Sequence, residues 1–118
     1  MVLPDEPERL RDAIAAARDS GVDVVLTVGS TGVGPRDIAP DVVGPLLDRQ
    51  LPGIMEVLRV RFGLDNPRAR LSRGVAGVTG LTQVYTLPGS VRAVGEYVPE
   101  IMATVEHLLY MLDGLDAH

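Results

Sequence analysis

The stretch "VGSTGVGPRDIAP" (28–40) brings together three glycines, the hydroxyls of Ser30 and Thr31, the Arg36 guanidinium and the Asp37 carboxylate. Glycine lets backbone N–H groups approach an anion closely, and hydroxyls and a guanidinium fork add donors. A carboxylate beside them can hold a magnesium ion against a phosphate. A shorter group of the same character, Pro88-Gly89-Ser90, lies further along the chain, and Arg73 and Arg92 could add charge. The chemistry these residues suit is the binding of phosphate oxygens. Neither group is a Walker A loop, because no Gly-Lys-Ser/Thr follows, and glycines at 29, 32 and 34 miss the dinucleotide spacing. The same residues also suit plain turns, with Asp37 a turn former, Asp5 and Ser90 helix caps and the arginines solvated. Residue chemistry alone leaves both readings open.

Two strands must position these loops. "VDVVLTV" (22–28) is β-branched without clean alternation, as expected of a strand covered on both faces, and "LTQVYTL" (81–87) has strand composition. Each runs straight into a glycine-bearing loop. If the strands are parallel neighbours, both loops face one crevice at their carboxyl ends, where open α/β sheets bind ligands.

The remaining segments read as helices. The first has Asp5 as N-cap, Pro7 in its first turn, Leu10, Ile14 and Ala17 on one face, and Gly21 as its stop. Pro40 can start a helix that Gly44-Pro45 shortens. Residues 51–63 place Ile54, Val57, Leu58 and Phe62 on one face, and 66–80 predict a short helix followed by a turn. From Val91 an apolar stripe runs through Val94, Val98, Ile101, Met102, Val105, Leu108, Leu109 and Leu112. Pro99 within it predicts a kink or a division into two helices.

Composition narrows the class. With 118 residues, 46% of them apolar, the chain suits one domain and one modest core. Aromatic residues are only 3%, so that core must be aliphatic. There is no cysteine for a disulfide or thiolate site, and His107 and His118 cannot build a zinc site by themselves. A net charge of −5 argues against nonspecific nucleic-acid binding. No apolar run is long enough for a membrane span, so a cytoplasmic protein is the default expectation. All eleven basic residues are arginines, so any cationic side chain on a phosphate is a guanidinium.

Taken as a whole, the chain resembles the MogA/MoaB-type molybdopterin adenylyltransferases. Their hallmark of a strand, Gly-Gly-Thr-Gly, Arg-Asp and Thr-Pro is matched by Gly29-Ser30-Thr31-Gly32, Arg36-Asp37 and Ala39-Pro40. "LPDEPERLR" (3–11), "LDRQLPG" (47–53), "LSRGVAGVTG" (71–80) and "LPGSVRAV" (87–94) continue the likeness in order. The resemblance implies a single three-layer α/β/α domain over 1–118 with a mostly parallel sheet. It implies magnesium-dependent transfer of AMP from ATP to the phosphate of molybdopterin, with a MoeA-type molybdenum insertase downstream. Asp5 and Asp37 would be the acidic catalytic residues, with Asp37 on the metal. Gly29, Ser30, Thr31, Gly32, Arg36, Ser72, Arg73, Pro88, Gly89 and Ser90 would line the ligand.

Three departures stand out. Ser30 replaces a glycine, adding a Cβ at a position where a glycine suits positive φ or close ligand approach. Ala39 replaces a threonine, losing a capping hydroxyl worth ~1 kcal/mol. The family's first strand, helix and second strand have no counterpart before "LPDE", so an N-terminally truncated fold with exposed edges is expected. Association would cover the gap, as a homo-oligomer (trimer or hexamer) or with a companion polypeptide. A non-catalytic molybdopterin-binding or assembly subunit is the alternative to the enzyme, and a purely structural oligomerisation module is a third reading.

Overall fold

The computed structural model describes residues 6–114, so Asp5 and His118 lie outside the described residues. In chain order the elements are α1 (Pro7–Asp19), β1 (Val24–Val28), α2 (Ala39–Val43), a 3-10 turn (Gly44–Leu46), β2 (Arg49–Gln50) and α3 (Pro52–Gly63). A second 3-10 turn (Pro67–Leu71), β3 (Ala76–Thr79), β4 (Thr82–Leu87) and α4 (Val91–Leu112) complete them. Prolines occupy the first turns of α1, α2 and α3, where a missing N–H costs nothing. Gly21 follows α1 with φ +81, a conformation glycine adopts without penalty.

The sheet order is β1-β4-β3-β2. β1 and β4 are parallel, with Val24 opposite Gln83 and Val28 opposite Leu87. The other two pairings, β3 with β4 and β2 with β3, are antiparallel. The sheet is therefore mixed, which corrects the expectation of a mostly parallel one. The difference lies in "GVAGVTG", where the sequence predicts a turn and the chain instead forms β3 and a hairpin. Thr79 pairs with Thr82 across Gly80-Leu81, and a link that short can join only antiparallel neighbours. Gly80 takes φ +59 at the first central position, the pattern of a type II′ turn. Within β3, a Cβ on Gly77 would lie 2.4 Å from the Arg49 carbonyl oxygen, so glycine is what lets β2 approach.

All six residues of β4 are buried, and their alternation divides the core. Val84 meets Ile14 of α1 and Val43 of α2 on one face. Tyr85 and Leu87 meet Met55 and Leu58 of α3 and Tyr97, Ile101 and Val105 of α4 on the other. Gln83, wholly buried, donates from Nε2 to the Val105 carbonyl (3.0 Å) and accepts from the Tyr85 hydroxyl, so its polar ends are satisfied. β1 lies at the edge of the sheet with Leu26 and Val28 exposed.

Two helix expectations are refined. On α3 the buried pair is Met55 and Leu58, with Ile54 and Phe62 packed beside them. Val57, one residue off that stripe, is exposed. α4 is one 22-residue helix with Pro99 inside it, not two. No described helix is long and apolar enough to cross a membrane.

Candidate functional site

The parallel register of β1 and β4 brings their carboxyl ends level, and the glycine loops leave the sheet side by side. The Gly29 amide donates to the Leu87 carbonyl (2.8 Å), extending the ladder by one bond past β1. A Cβ on Gly89 would lie 3.2 Å from the Gly29 Cα, so the two loops touch backbone to backbone. A third segment joins them, because the Arg73 amide donates to the Thr31 carbonyl (2.8 Å) and the Ser72 hydroxyl lies 3.4 Å from that of buried Thr31. Residues 29–37, 72–74 and 88–90 thus converge at one end of the sheet.

The first loop is held internally by its own polar groups. Ser30 has φ +62, the only positive φ among the described non-glycine residues. Its Oγ accepts from the Ile38 amide (2.7 Å) and donates to the Arg36 carbonyl (3.1 Å), while its carbonyl accepts from the Ala39 amide (3.0 Å). α2 has no capping side chain of its own, so the Ser30 side chain and carbonyl satisfy amides at its start. Asp37 folds back into the loop, its Oδ2 accepting from the Gly34 amide (2.8 Å). A Cβ on Gly32 would stand 2.7 Å from that oxygen, so the glycine leaves room for the carboxylate.

Arg73 ties this loop to α2. Its Nε donates to the Gly32 carbonyl (2.7 Å) and its Nη2 to the Asp37 carbonyl (2.9 Å). Nη1 and Nη2 also reach the two carboxylate oxygens of Asp41 (3.0 and 3.2 Å). Hydrogen bonding from this fork holds the Asp41 carboxyl below the usual carboxylate range, and Asp41 raises the Arg73 guanidinium in return. Arg36, by contrast, is exposed, and its guanidinium has no partner among the described residues. Arg92 is exposed and pairs with Glu96 one turn along α4 (3.5 Å).

Ser90 caps α4, its Oγ accepting from the Ala93 amide (3.0 Å). The start of this long helix, with its partial positive charge, therefore sits next to Gly89 at the same end of the sheet. Residue reading missed Arg59 on α3, whose Nη1 donates to the Ser72 and Gly74 carbonyls (3.2 and 3.0 Å). It also missed Gly74, where a Cβ would lie 2.7 Å from the Thr86 carbonyl oxygen. Neither carries a local signal, because both act on segments distant in sequence. Asp41 was legible in principle, as an acid in the first turn after Pro40. Asp5 lies outside the described residues.

Among the described residues no group of three or more His, Cys, Asp or Glu side chains could hold a metal ion. Asp37 can still contribute to a magnesium site, because that ion commonly binds through one or two carboxylates plus substrate phosphates. Its Oδ1 has no hydrogen-bond partner among the described residues, which leaves one carboxylate oxygen for that role.

A family model described as a probable molybdopterin binding domain matches residues 1–107. The chain belongs to the MogA/MoaB molybdopterin-binding family. A molybdenum cofactor biosynthesis bifunctional protein of Chlorobaculum tepidum is 39% identical over 99% of this chain and 37% of its own length. The solved structure of a molybdopterin biosynthesis protein from Mycobacterium abscessus superimposes with a TM-score of 0.90. It is 38% identical, and the match covers 99% of this chain and 75% of that one. A tungsten cofactor synthesizing MoaB from Pyrococcus furiosus matches with a TM-score of 0.86 at 34% identity, over 95% of this chain and 72% of that one. The chain thus spans well under half of the first curated relatives, which are longer proteins, and about three quarters of the solved ones.

In this member of the family the glycine loop is folded and internally bonded with Ser30 and Ala39 in place. The Ser30 hydroxyl accepts from the Ile38 amide at the start of α2, a helix with no capping side chain of its own.

Proposed function

We propose that this domain works in molybdenum cofactor biosynthesis by binding molybdopterin at the convergent loops and transferring AMP from ATP to its terminal phosphate. The observation that carries this reading is the backbone contact of Gly29 with Gly89 at the carboxyl ends of β1 and β4, beside the N-terminus of α4. That arrangement aims amides and a helix dipole at one place, and both favour phosphate oxygens. Gly29, Ser30, Thr31 and Gly32 would line it from the first loop and Pro88, Gly89 and Ser90 from the second, with Ser72 and Arg73 on the third segment and Arg36, whose guanidinium has no partner among the described residues, adding charge.

In the transfer, a terminal phosphate oxygen of molybdopterin forms a bond to the α-phosphorus of ATP, and the bond to the bridging oxygen breaks to release pyrophosphate. Magnesium, when bound, neutralises phosphate charge. The chain contributes position and charge complementarity rather than a covalent intermediate. Asp37 would hold the metal, with Asp5 as the second acidic residue. A homo-oligomer, trimeric or hexameric, would cover the exposed edge of β1, and a MoeA-type insertase would receive the product in the cytoplasm.

The second reading is a molybdopterin-binding subunit without turnover. Pyrophosphate release from ATP and molybdopterin separates the two. Asp37→Asn should lower turnover by about tenfold or more, the loss expected when a charge-assisted contact is removed. Unchanged turnover and unchanged ligand binding in that variant would remove Asp37 from the site.

A further inference from the structure

Among the arginines near the candidate site, Arg73 differs in how fully its donors are engaged. Its fork reaches the carbonyls of Gly32 and Asp37 and both carboxylate oxygens of Asp41, while its own amide holds the Thr31 carbonyl. These contacts fall on both ends of the loop that carries Asp37 and on the first turn of α2. A guanidinium so engaged has little capacity left for a phosphate. The guanidinium of Arg36, on the same loop, has no partner among the described residues.

We propose that Arg73 is a positioning residue rather than a ligand-binding one: it clamps residues 31–37 against α2 through Asp41 and so sets the place of Asp37, leaving Arg36 as the loop's ligand-side cation. The planar fork is essential to this role, because a lysine ammonium cannot reach two carbonyls and a bidentate carboxylate at once. Asp41 acts through Arg73, and its exposed carboxylate also offsets a positive charge near the loop. The two possible roles of Arg73 therefore predict opposite signs at Asp41. If Arg73 touched the ligand, removing Asp41 would free its fork and strengthen anion binding. If Arg73 is the clamp, removing Asp41 loosens the loop and weakens it.

This inference rests on the phosphate-site reading for its binding arm but not for its structural arm. The test uses the full chain with Arg73→Gln, Arg73→Lys, Asp41→Ala and Arg36→Gln. Magnesium-ATP affinity is measured by calorimetry, and hydrogen exchange is followed at the Gly34, Asp37, Ile38 and Ala39 amides. The clamp predicts that Arg73→Gln, Arg73→Lys and Asp41→Ala all accelerate exchange at those amides while leaving the β3–β4 hairpin unchanged. All three should weaken affinity by roughly tenfold, the scale of one net hydrogen bond of lost preorganisation. Arg36→Gln should weaken affinity without changing exchange. Retained affinity in Arg73→Lys with loss in Arg73→Gln would overturn the proposal, as would tighter binding in Asp41→Ala or unchanged loop exchange in every variant. If the wild-type chain binds no magnesium-ATP, the nucleotide reading fails and the exchange results still decide the clamp.

Discussion

Replacing Ser30 separates two opposing contributions to the loop. The residue holds φ +62, which costs a side chain with a Cβ about 1 kcal/mol or more. Its hydroxyl makes two hydrogen bonds, to the Ile38 amide and the Arg36 carbonyl, each contributing about 1 kcal/mol net. Ser30→Ala keeps the backbone strain and loses both bonds, so it should destabilise the domain by about 2 kcal/mol. Ser30→Gly loses the same bonds but relieves the strain, so its cost should be about 1 kcal/mol. The expected order of stability is therefore serine, then glycine, then alanine. At an ordinary position alanine outlasts glycine, because glycine's freedom in the unfolded chain works against it. Urea denaturation of the three proteins at equal concentration measures the order directly. If Ser30→Ala is as stable as Ser30→Gly, the strain assigned to this residue is absent. If Ser30→Gly matches the wild type or exceeds it, the two hydroxyl bonds contribute less than the strain they offset.

Three further outcomes follow from the same geometry. Gly32→Ala should cost about 1 kcal/mol in stability, since the new methyl would stand 2.7 Å from the Asp37 Oδ2 and displace it from the Gly34 amide, and it should reduce turnover about as much as Asp37→Asn; equal turnover to wild type would show that the Asp37 position is not critical. Tyr97→Phe should raise stability by up to about 1 kcal/mol in thermal or urea unfolding, because the buried Tyr97 hydroxyl has no hydrogen-bond partner while its ring stacks on Phe62 either way. Burial pushes the Tyr85 hydroxyl up to about 12 from 10, so the folded state retains a proton that the unfolded state releases. Stability should therefore fall as pH rises from 10 towards 12, and Tyr85→Phe should flatten that slope in pH-dependent denaturation.

The local code of this chain was legible from residue types. Proline at helix starts, glycine after α1 and the apolar stripe of α4 act through neighbouring residues, so α1, β1, β4 and α4 could be read without a fold. The glycine loops at 29–32 and 88–90 were legible for the same reason, as was the special backbone at Ser30, by comparison with a glycine in the resembled family. β3 was not legible. Its four residues include a glycine and follow an arginine-rich turn, and their strand character comes from pairing with β4 and β2.

Sequence alone thus determined which groups were available: a guanidinium-only set of cations, two glycine loops behind two strands, and a carboxylate beside one of them. The tertiary structure decided their assignments. The parallel register of β1 with β4 put the loops in contact, and the II′ hairpin at Gly80 made the sheet mixed. The roles of Arg59, Arg73 and Asp41 depended on long-range contacts between segments that residue spacing cannot relate. A charged side chain has the same formula whether it holds a ligand or a loop. Only the placement of its partners distinguishes them.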